Sequence, residues 1–255
     1  MITLLIQLYE SEFPQRNTEF AQALQKNIEC KHIDNIVVFA DQTFDVYKHE
    51  KIKHIPTKHR MTYAKFFEFA NQLSSICIIA NSDVYFDESL KYVTNIDKEK
   101  FLCLARWNDN KLDHHATMSQ DAWIFNKQIP QKMIESSDFF LGELRCDNRI
   151  AYHAMMNQFE ILNPCLLVKI HHLHKNNTEV TYERFPQNEK INTLHLTSLN
   201  PSSTMKYNPS NVCSFINMGS ARVCGNGYFT LISHFNSPNN KKDIILYDAK
   251  NKFND

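Results

Sequence analysis

Apolar residues fall along this chain in short unbroken runs, separated by segments whose apolar positions keep helical spacing. The first run is "ITLLIQLY", and "RNTEFAQALQKNI" then sets Phe20, Leu24 and Ile28 on one helical face. "IDNIVVFAD" is a second run. "RMTYAKFFEFANQL" carries Tyr63, Phe66, Phe67, Ala70 and Leu73 on one stripe, and "SICIIANSD" and "KFLCLARW" are further runs. A run without polar alternation, such as Ile76 to Ala80, suits a central strand covered on both faces. Strand, helix, strand, helix, strand predicts an α/β domain with a mixed, mainly parallel sheet flanked by helices. Further on, "DAWIF" reads as a strand, "CDNRIAYHAMMNQF" as a helix and "LLVKIHHLH" as a late strand.

The pattern changes after about residue 176. "NPSSTMKYNPSN" is a polar, proline-bearing loop, "RVCGNGYFTLISHF" predicts a hairpin around Gly225-Asn226-Gly227, and "KKDIILYDA" is one more short strand. The expected organisation is a main domain over 1–180 and an accessory, β-rich extension over 181–255. "SFINM" and "YFTLISHF" make that extension too apolar to stay disordered, so it is expected to pack against the main domain.

Composition narrows the function classes. Basic and acidic residues balance at 28 each, so no net field draws the chain to nucleic acid or an anionic membrane. Four glycines are too few for a glycine-rich phosphate loop. Seven cysteines, odd in number and without a C-x-x-C pair, argue for a reducing, cytoplasmic setting rather than a disulfide framework or zinc site. The opening run lacks a basic leader, a cleavage site and the length of a membrane span, so no transmembrane segment is expected and the run reads as a first strand.

In a parallel α/β sheet, ligands bind beyond the carboxyl ends of the strands. The stretch "IIANSDVYFDESL" delivers Asn81, Ser82 and Asp83 there. Asp83 would be a hard oxygen ligand for a divalent cation, its structural alternative being a loop cap. Asp87 reads as the cap of "ESLKYV". On the strand "KIHHLH", His172 and His174 share a face and His171 points the other way. One imidazole with carboxylates suits Mn2+, whereas the plainer reading is a polar strand end. Asp147 opens a helix, where an aspartate can cap and catalyse at once. Asp121 stands at the mouth of the "DAWIF" strand. Arg60 precedes a helix and Arg106 ends a strand. A cation at a helix N-terminus is mildly unfavourable unless an anion such as a diphosphate joins it, and the alternative for both is a solvated surface.

"RMTYAKFFEFAN", "IIANSDVYFDESL", "LARWN", "SQDAWIF", "CDNRIAY" and "NPCLLVKIHHLH", taken in order, resemble the blocks of GT-A-fold nucleotide-sugar glycosyltransferases, nearest to those of bacteria and large viruses that build surface glycans. The likeness runs from about Ile2 to His174 and leaves the tail uncovered. It implies that "NSD" stands where such enzymes carry D-x-D, the motif that binds the metal bridging the donor diphosphate. Asn81 replaces the first acid and leaves Asp83 as the main carboxylate ligand. The late metal ligand is expected at His174, with His172 second. Asp147 matches the acid that deprotonates the acceptor hydroxyl in inverting members, with Asp121 as a second catalytic candidate. "GELRCDN" departs from the pattern, with Glu143, Leu144 and Arg145 in place of a tighter glycine-bearing turn.

Gln7, Tyr9 and Arg16 near the end of the first strand, with Arg60, Asn81, Ser82 and Arg106, are the expected nucleotide-binding residues. The resemblance implies a glycosyltransferase using Mn2+ or Mg2+ to move a sugar from a nucleoside-diphosphate sugar, a UDP-sugar favoured, to a glycan hydroxyl. Two alternatives stand beside it: a sugar-phosphate nucleotidyltransferase, and a catalytically silent glycan-binding module of the same fold.

Overall fold

The computed structural model describes residues 1–42, 48–113, 116, 119–143 and 146–173, together with five strand segments between 196 and 248. From the N-terminus run β1 (Ile2–Gln7), α1 (Pro14–Glu29), β2 (Asn35–Ala40), β3 (Ile52–Pro56), α2 (Tyr63–Ala70) and β4 (Ile76–Ala80). Next come β5 (Val84–Phe86), a 3-10 segment at Glu88–Val93, β6 (Lys100–Leu104), β7 (Arg106–Asn108), β8 (Lys111–Leu112) and β9 (Ala122–Phe125). α3 (Gln131–Glu135), α4 (Cys146–Met156), β10 (Glu160–Leu162) and β11 (Ile170–His172) follow.

The main sheet has the order β10-β6-β9-β4-β1-β2-β3. Every neighbouring pair is parallel except those of β9, which runs antiparallel to both β4 and β6. This is the mixed, mainly parallel sheet flanked by helices that the pattern predicts. β4 lies centrally between β1 and β9, and all five of its residues are buried, as its unbroken apolar run requires. A smaller sheet has the order β5-β11-β7-β8, and its strands β5 and β7 follow the carboxyl ends of β4 and β6 in the chain.

Strand alternation divides the core into two layers. Leu4, Ile6, Ile78 and Ile124 point to one face and pack with Phe20, Leu24 and Ile28 of α1. Leu5, Cys77, Ile79, Trp123 and Phe125 point to the other and meet Tyr63, Phe66 and Phe67 of α2 and Ile150, Ala151 and Ala154 of α4. α1 begins with Pro14 in its first turn, where the missing N–H costs nothing. α2 is capped by Thr62, whose side chain accepts from Lys65 N. Among the described residues, Cys30, Cys77, Cys103, Cys146 and Cys165 are buried free thiols. No described helix is long and apolar enough to cross a membrane.

In the tail, β12 (Leu196–Ser198) pairs antiparallel with β13 (Cys213–Ile216). β14 (Val223–Cys224), β15 (Tyr228–Thr230) and β16 (Leu246–Asp248) form an antiparallel ladder. β14 and β15 flank the glycine turn expected at 225–227. The expected boundary at residue 180 lies outside the described residues.

Candidate functional site

The carboxyl ends of β1, β4 and β6 and the start of β9 lie together, because β9 runs against its neighbours. Asn81 leaves β4 there opposite Asp121. Its backbone N donates to Asp121 O at 2.9 Å and its Nδ2 to Asp121 Oδ1 at 2.6 Å. Ser82 donates from Oγ to Gln7 O, tying the ends of β1 and β4. Asp83 is 8% exposed and is held from two sides. Arg16 Nη2 of α1 donates to its Oδ2 at 2.8 Å, and His172 Nε2 of β11 lies 3.2 Å from the same oxygen.

β11 pairs with β5 and β7, and this brings His172 to the site. His171 takes the opposite face, where it contacts Asp87 at 2.8 Å and stacks on Tyr85. Asp87 caps the 3-10 segment through Ser89 N, as the sequence predicts. His174, the first choice for the late ligand, lies outside the described residues. The imidazole placed at Asp83 is that of His172.

A second group of polar side chains extends from Asp121. Arg106 Nη1 reaches Asp121 Oδ2 at 3.3 Å, and its Nε reaches Asp113 Oδ2 at 3.1 Å. Asn108 Nδ2 donates to the same Asp113 oxygen at 2.8 Å, and Asn108 Oδ1 lies 3.0 Å from His172 Nδ1. The chain of contacts therefore closes from Asp83 through His172, Asn108, Asp113, Arg106 and Asp121 to Asn81. Asn108 and Asp113 carry no such signal in the sequence, because "RWNDNKLD" looks like turn chemistry alone. Glu19 is a further member that the sequence pattern does not single out. It is buried on α1 and accepts from Arg16 Nη1 at 2.6 Å, and its i,i+3 spacing from Arg16 was the available signal.

Asp147 lies in the first turn of α4 rather than ahead of it. Its Oδ2 accepts from Gln120 N at 3.1 Å and its Oδ1 from Asn148 N at 2.9 Å, so the carboxylate spans the junction of α4 and the β9 lead-in. Burial pushes its pKa up to about 7, against the two backbone hydrogen bonds and aided by the charge of Asp121. Burial raises Asp121 as well, with Arg106 pulling it down and Asp83 adding to the rise. Burial alone would also raise Asp83, but His172 and Arg16 outweigh it and hold that carboxyl well below its ordinary range. One edge of the sheet thus carries a carboxylate kept ionised and another poised to take a proton near neutrality.

The remaining expected nucleotide contacts divide. Tyr9 is 53% exposed above α1, its ring edge-on to Phe20. Gln7 turns its side chain to the 59–61 loop, accepting from Met61 N at 2.7 Å and donating to His59 O at 3.0 Å. Arg60 faces away toward the turn before α4, donating to Leu141 O at 2.5 Å and lying over the Phe140 ring. The structure brings Arg16, Asn81, Asp83, Arg106 and Asp121 into one network. It places Arg60 against the 140–142 turn instead.

No protein-family model and no curated protein matches the sequence. Solved structures do resemble the chain. The mannosyltransferase PcManGT from Pyrobaculum calidifontis, in complex with GDP-Man and Mn2+, aligns at 12% identity over 64% of this chain and 54% of its own, with a TM-score of 0.43. S. aureus TarS, in complex with UDP-GlcNAc, aligns at 13% identity over 71% of this chain and 61% of its own, with a TM-score of 0.47. 4-Diphosphocytidyl-2C-methyl-D-erythritol synthase from Anaerococcus prevotii aligns at 15% identity over 68% of this chain and 87% of its own, with a TM-score of 0.40. The chain therefore spans 54% and 61% of the two glycosyltransferase chains. Likeness of this order concerns the arrangement of strands; what the site can do follows from this chain's own residues.

Proposed function

We propose that the protein is a glycosyltransferase that moves a sugar from a nucleoside-diphosphate sugar to a hydroxyl of a glycan acceptor, with Mn2+ or Mg2+ at Asp83. The observation that carries this reading is the meeting of Asp83 and His172 beyond the carboxyl end of β4; Asp147, whose pKa is pushed up to about 7, feels the charge of Asp121 at the start of the neighbouring β9. A carboxylate oxygen and an imidazole nitrogen form a donor set suited to Mn2+. Asp83 and His172 would be the residues to hold the cation; without it, Asp83 Oδ2 lies 3.2 Å from His172 Nε2 and accepts from Arg16 Nη2 at 2.8 Å. Among the described residues no group of three His, Cys, Asp or Glu side chains converges on one point. Bound there, the cation would neutralise charge on the departing nucleoside diphosphate.

The chain's own residues supply the rest. Arg16 stands on the donor side of Asp83 and offers a second positive charge to the diphosphate. Its guanidinium is held over the Phe20 ring and by Glu19, so it is oriented before any ligand arrives. Tyr9 exposes a ring beside it, a surface on which a base would stack. Asp121 and Arg106 keep the end of β4 in place and leave Asp147 nearest the acceptor side, where it takes the hydroxyl proton.

Melting the protein with nucleoside diphosphates, with and without Mn2+, and then assaying donor hydrolysis tests this reading. A glycosyltransferase gains stability from nucleoside diphosphate only with the metal and slowly hydrolyses its donor. A nucleotidyltransferase would respond to a nucleoside triphosphate, and a silent module to neither. Metal-independent binding, or none, would overturn the proposal.

A further inference from the structure

We infer that Gln120 is a specificity-determining residue: its buried carboxamide binds a hydroxyl of the sugar that passes from donor to acceptor. The inference rests on the reading that puts the donor's diphosphate at Asp83 and the acceptor hydroxyl at Asp147.

Gln120 stands where three elements meet. Asp121 N donates to Leu104 O at 3.0 Å and Asn81 N donates to Asp121 O at 2.9 Å, so the ladders of β9 with β6 and β4 both run on to Asp121. One residue earlier, Gln120 N donates to Asp147 Oδ2 at 3.1 Å and joins the same backbone to the first turn of α4. Covalent and hydrogen bonds thus lead from Asp83 through Asn81, Asp121 and Gln120 to Asp147. A sugar held between a diphosphate at Asp83 and a hydroxyl at Asp147 lies along that line. Backbone fixed on both sides gives the Gln120 side chain a preset origin.

Gln120 is 2% exposed, and among the described residues neither its Oε1 nor its Nε2 has a hydrogen-bonding partner. A buried amide left unpaired costs stability that an apolar side chain of the same length would not. The other polar groups along the line are committed: Asn81 Nδ2 to Asp121 Oδ1, Asp121 Oδ2 to Arg106, and both Asp147 oxygens to backbone N–H groups. Gln120 keeps one acceptor and an NH2 donor uncommitted. A sugar hydroxyl both donates and accepts, and so matches the two together. A diphosphate oxygen only accepts and would leave the amide carbonyl unpaired, whereas a cation would leave the NH2 unpaired. Asp121 beside it is 5% exposed and Asp83 8%, so the whole line is withdrawn from solvent, where a hydrogen bond to a ligand counts most.

The test uses the full chain with Mn2+. Thermal shifts with UDP and GDP are compared with those of UDP-glucose, UDP-N-acetylglucosamine and GDP-mannose. The nucleotide sugar that adds most to the shift of its own nucleoside diphosphate is then titrated by calorimetry. Gln120→Met keeps the length of the side chain and removes the amide. It should bind the nucleoside diphosphate as wild type does and the nucleotide sugar about tenfold more weakly. Among monodeoxy forms of that sugar, one should bind wild type about tenfold more weakly yet bind Gln120→Met as well as the parent sugar does, because hydroxyl and amide act as a pair. Losses that simply add would overturn the inference. Without ligand, Gln120→Met should melt no lower than wild type. A lower melting point would show the amide satisfied inside the protein, and overturns the inference too. So does equal affinity of wild type and Gln120→Met for the nucleotide sugar, or a wild type that gains nothing from any of the three sugars. Wild-type protein that binds neither UDP nor GDP overturns the reading on which the inference rests.

Discussion

Asp83 Oδ2 and His172 Nε2 lie 3.2 Å apart across 89 positions of sequence, and Arg16 reaches the same oxygen from 67 positions on the other side. Three elements of different depth in the chain, α1, the end of β4 and β11, are joined at one atom. Such a contact is costly to break from one side, because it leaves the Arg16 guanidinium without this anion. Asp83→Asn should therefore lower unfolding free energy at neutral pH, by about 3–5 kcal/mol if the pair behaves as buried pairs do. The sign with pH follows from the depressed pKa. A carboxyl held below its unfolded value, about 3.9, adds stability above that pH and loses it as pH falls further. Urea unfolding at pH 7 and pH 3 should show the gap between wild type and Asp83→Asn narrowing at the lower pH. A gap equally wide at both would show that the ionised carboxylate is not what stabilises the site.

The same region depends on Asn27, a residue with no chemistry to offer a substrate. Asn27 is 2% exposed on α1, and its Nδ2 donates to Val84 O while its Oδ1 accepts from Phe86 N, both at 3.0 Å. Those bonds occupy the β5 backbone on the edge away from β11. Asn27→Leu would fit the helix and leave one buried N–H and one buried C=O unpaired. At about 1–3 kcal/mol per group, the loss should total about 2–6 kcal/mol. Since Val84 follows Asp83, Mn2+ binding should weaken in step with stability. A variant that melts like wild type would remove Asn27 from the scaffold of the site.

The strands that form the middle of the main sheet are legible in the sequence because burial on both faces writes an unbroken apolar run, as at Ile76–Ala80. β3 is not. It is a half-buried edge strand whose residues, "IKHIP", mix charge with apolar side chains and are compatible with a loop. β5 and β10, at three residues each, are too short to show any period. The site follows the same division. Asp83, Asp121 and Asp147 announce themselves by standing where buried elements end. Their partners do not, since a hydrogen bond between Asn108 and His172 depends on a register between strands 64 positions apart. Arg60 stands differently. A cation before a helix suggests an anion, but this one satisfies itself on a neighbouring carbonyl and ring.

That arrangement of Arg60 makes Gly142 testable. Gly142 has φ +79°, and a Cβ there would lie 3.2 Å from Arg60 Nη2. Gly142→Ala meets both a left-handed backbone and a crowded guanidinium, and should cost about 1–3 kcal/mol. Gly142→Asn should cost less through the backbone, because asparagine enters that region more readily. Adding Arg60→Ala to Gly142→Ala relieves the contact but not the backbone, so thermal melting of the double variant should recover only part of the loss. Full recovery would mean that φ contributes nothing.

Asp147 decides whether the site performs chemistry. Its two carboxylate oxygens accept from Gln120 N and Asn148 N, so Asp147→Asn must turn an NH2 toward one backbone N–H. The substitution is therefore not silent for stability, and melting alone cannot separate a structural aspartate from a base. The pH profile can. With burial raising its pKa to about 7, the carboxyl is protonated and inactive as a base in mildly acid solution. Transfer under saturating donor should then rise about tenfold per pH unit below that value and level off above it. Asp147→Asn should reduce turnover by about 100- to 10,000-fold and abolish the rising limb, while Mn2+-dependent nucleotide binding stays near wild type. Folding carries the opposite sign: a carboxyl raised above its unfolded value withholds stability as pH climbs from about 4 to about 7, so wild type should lose stability relative to Asp147→Asn over that range. A rising limb that persists in Asp147→Asn and vanishes in Asp121→Asn would move the base to Asp121.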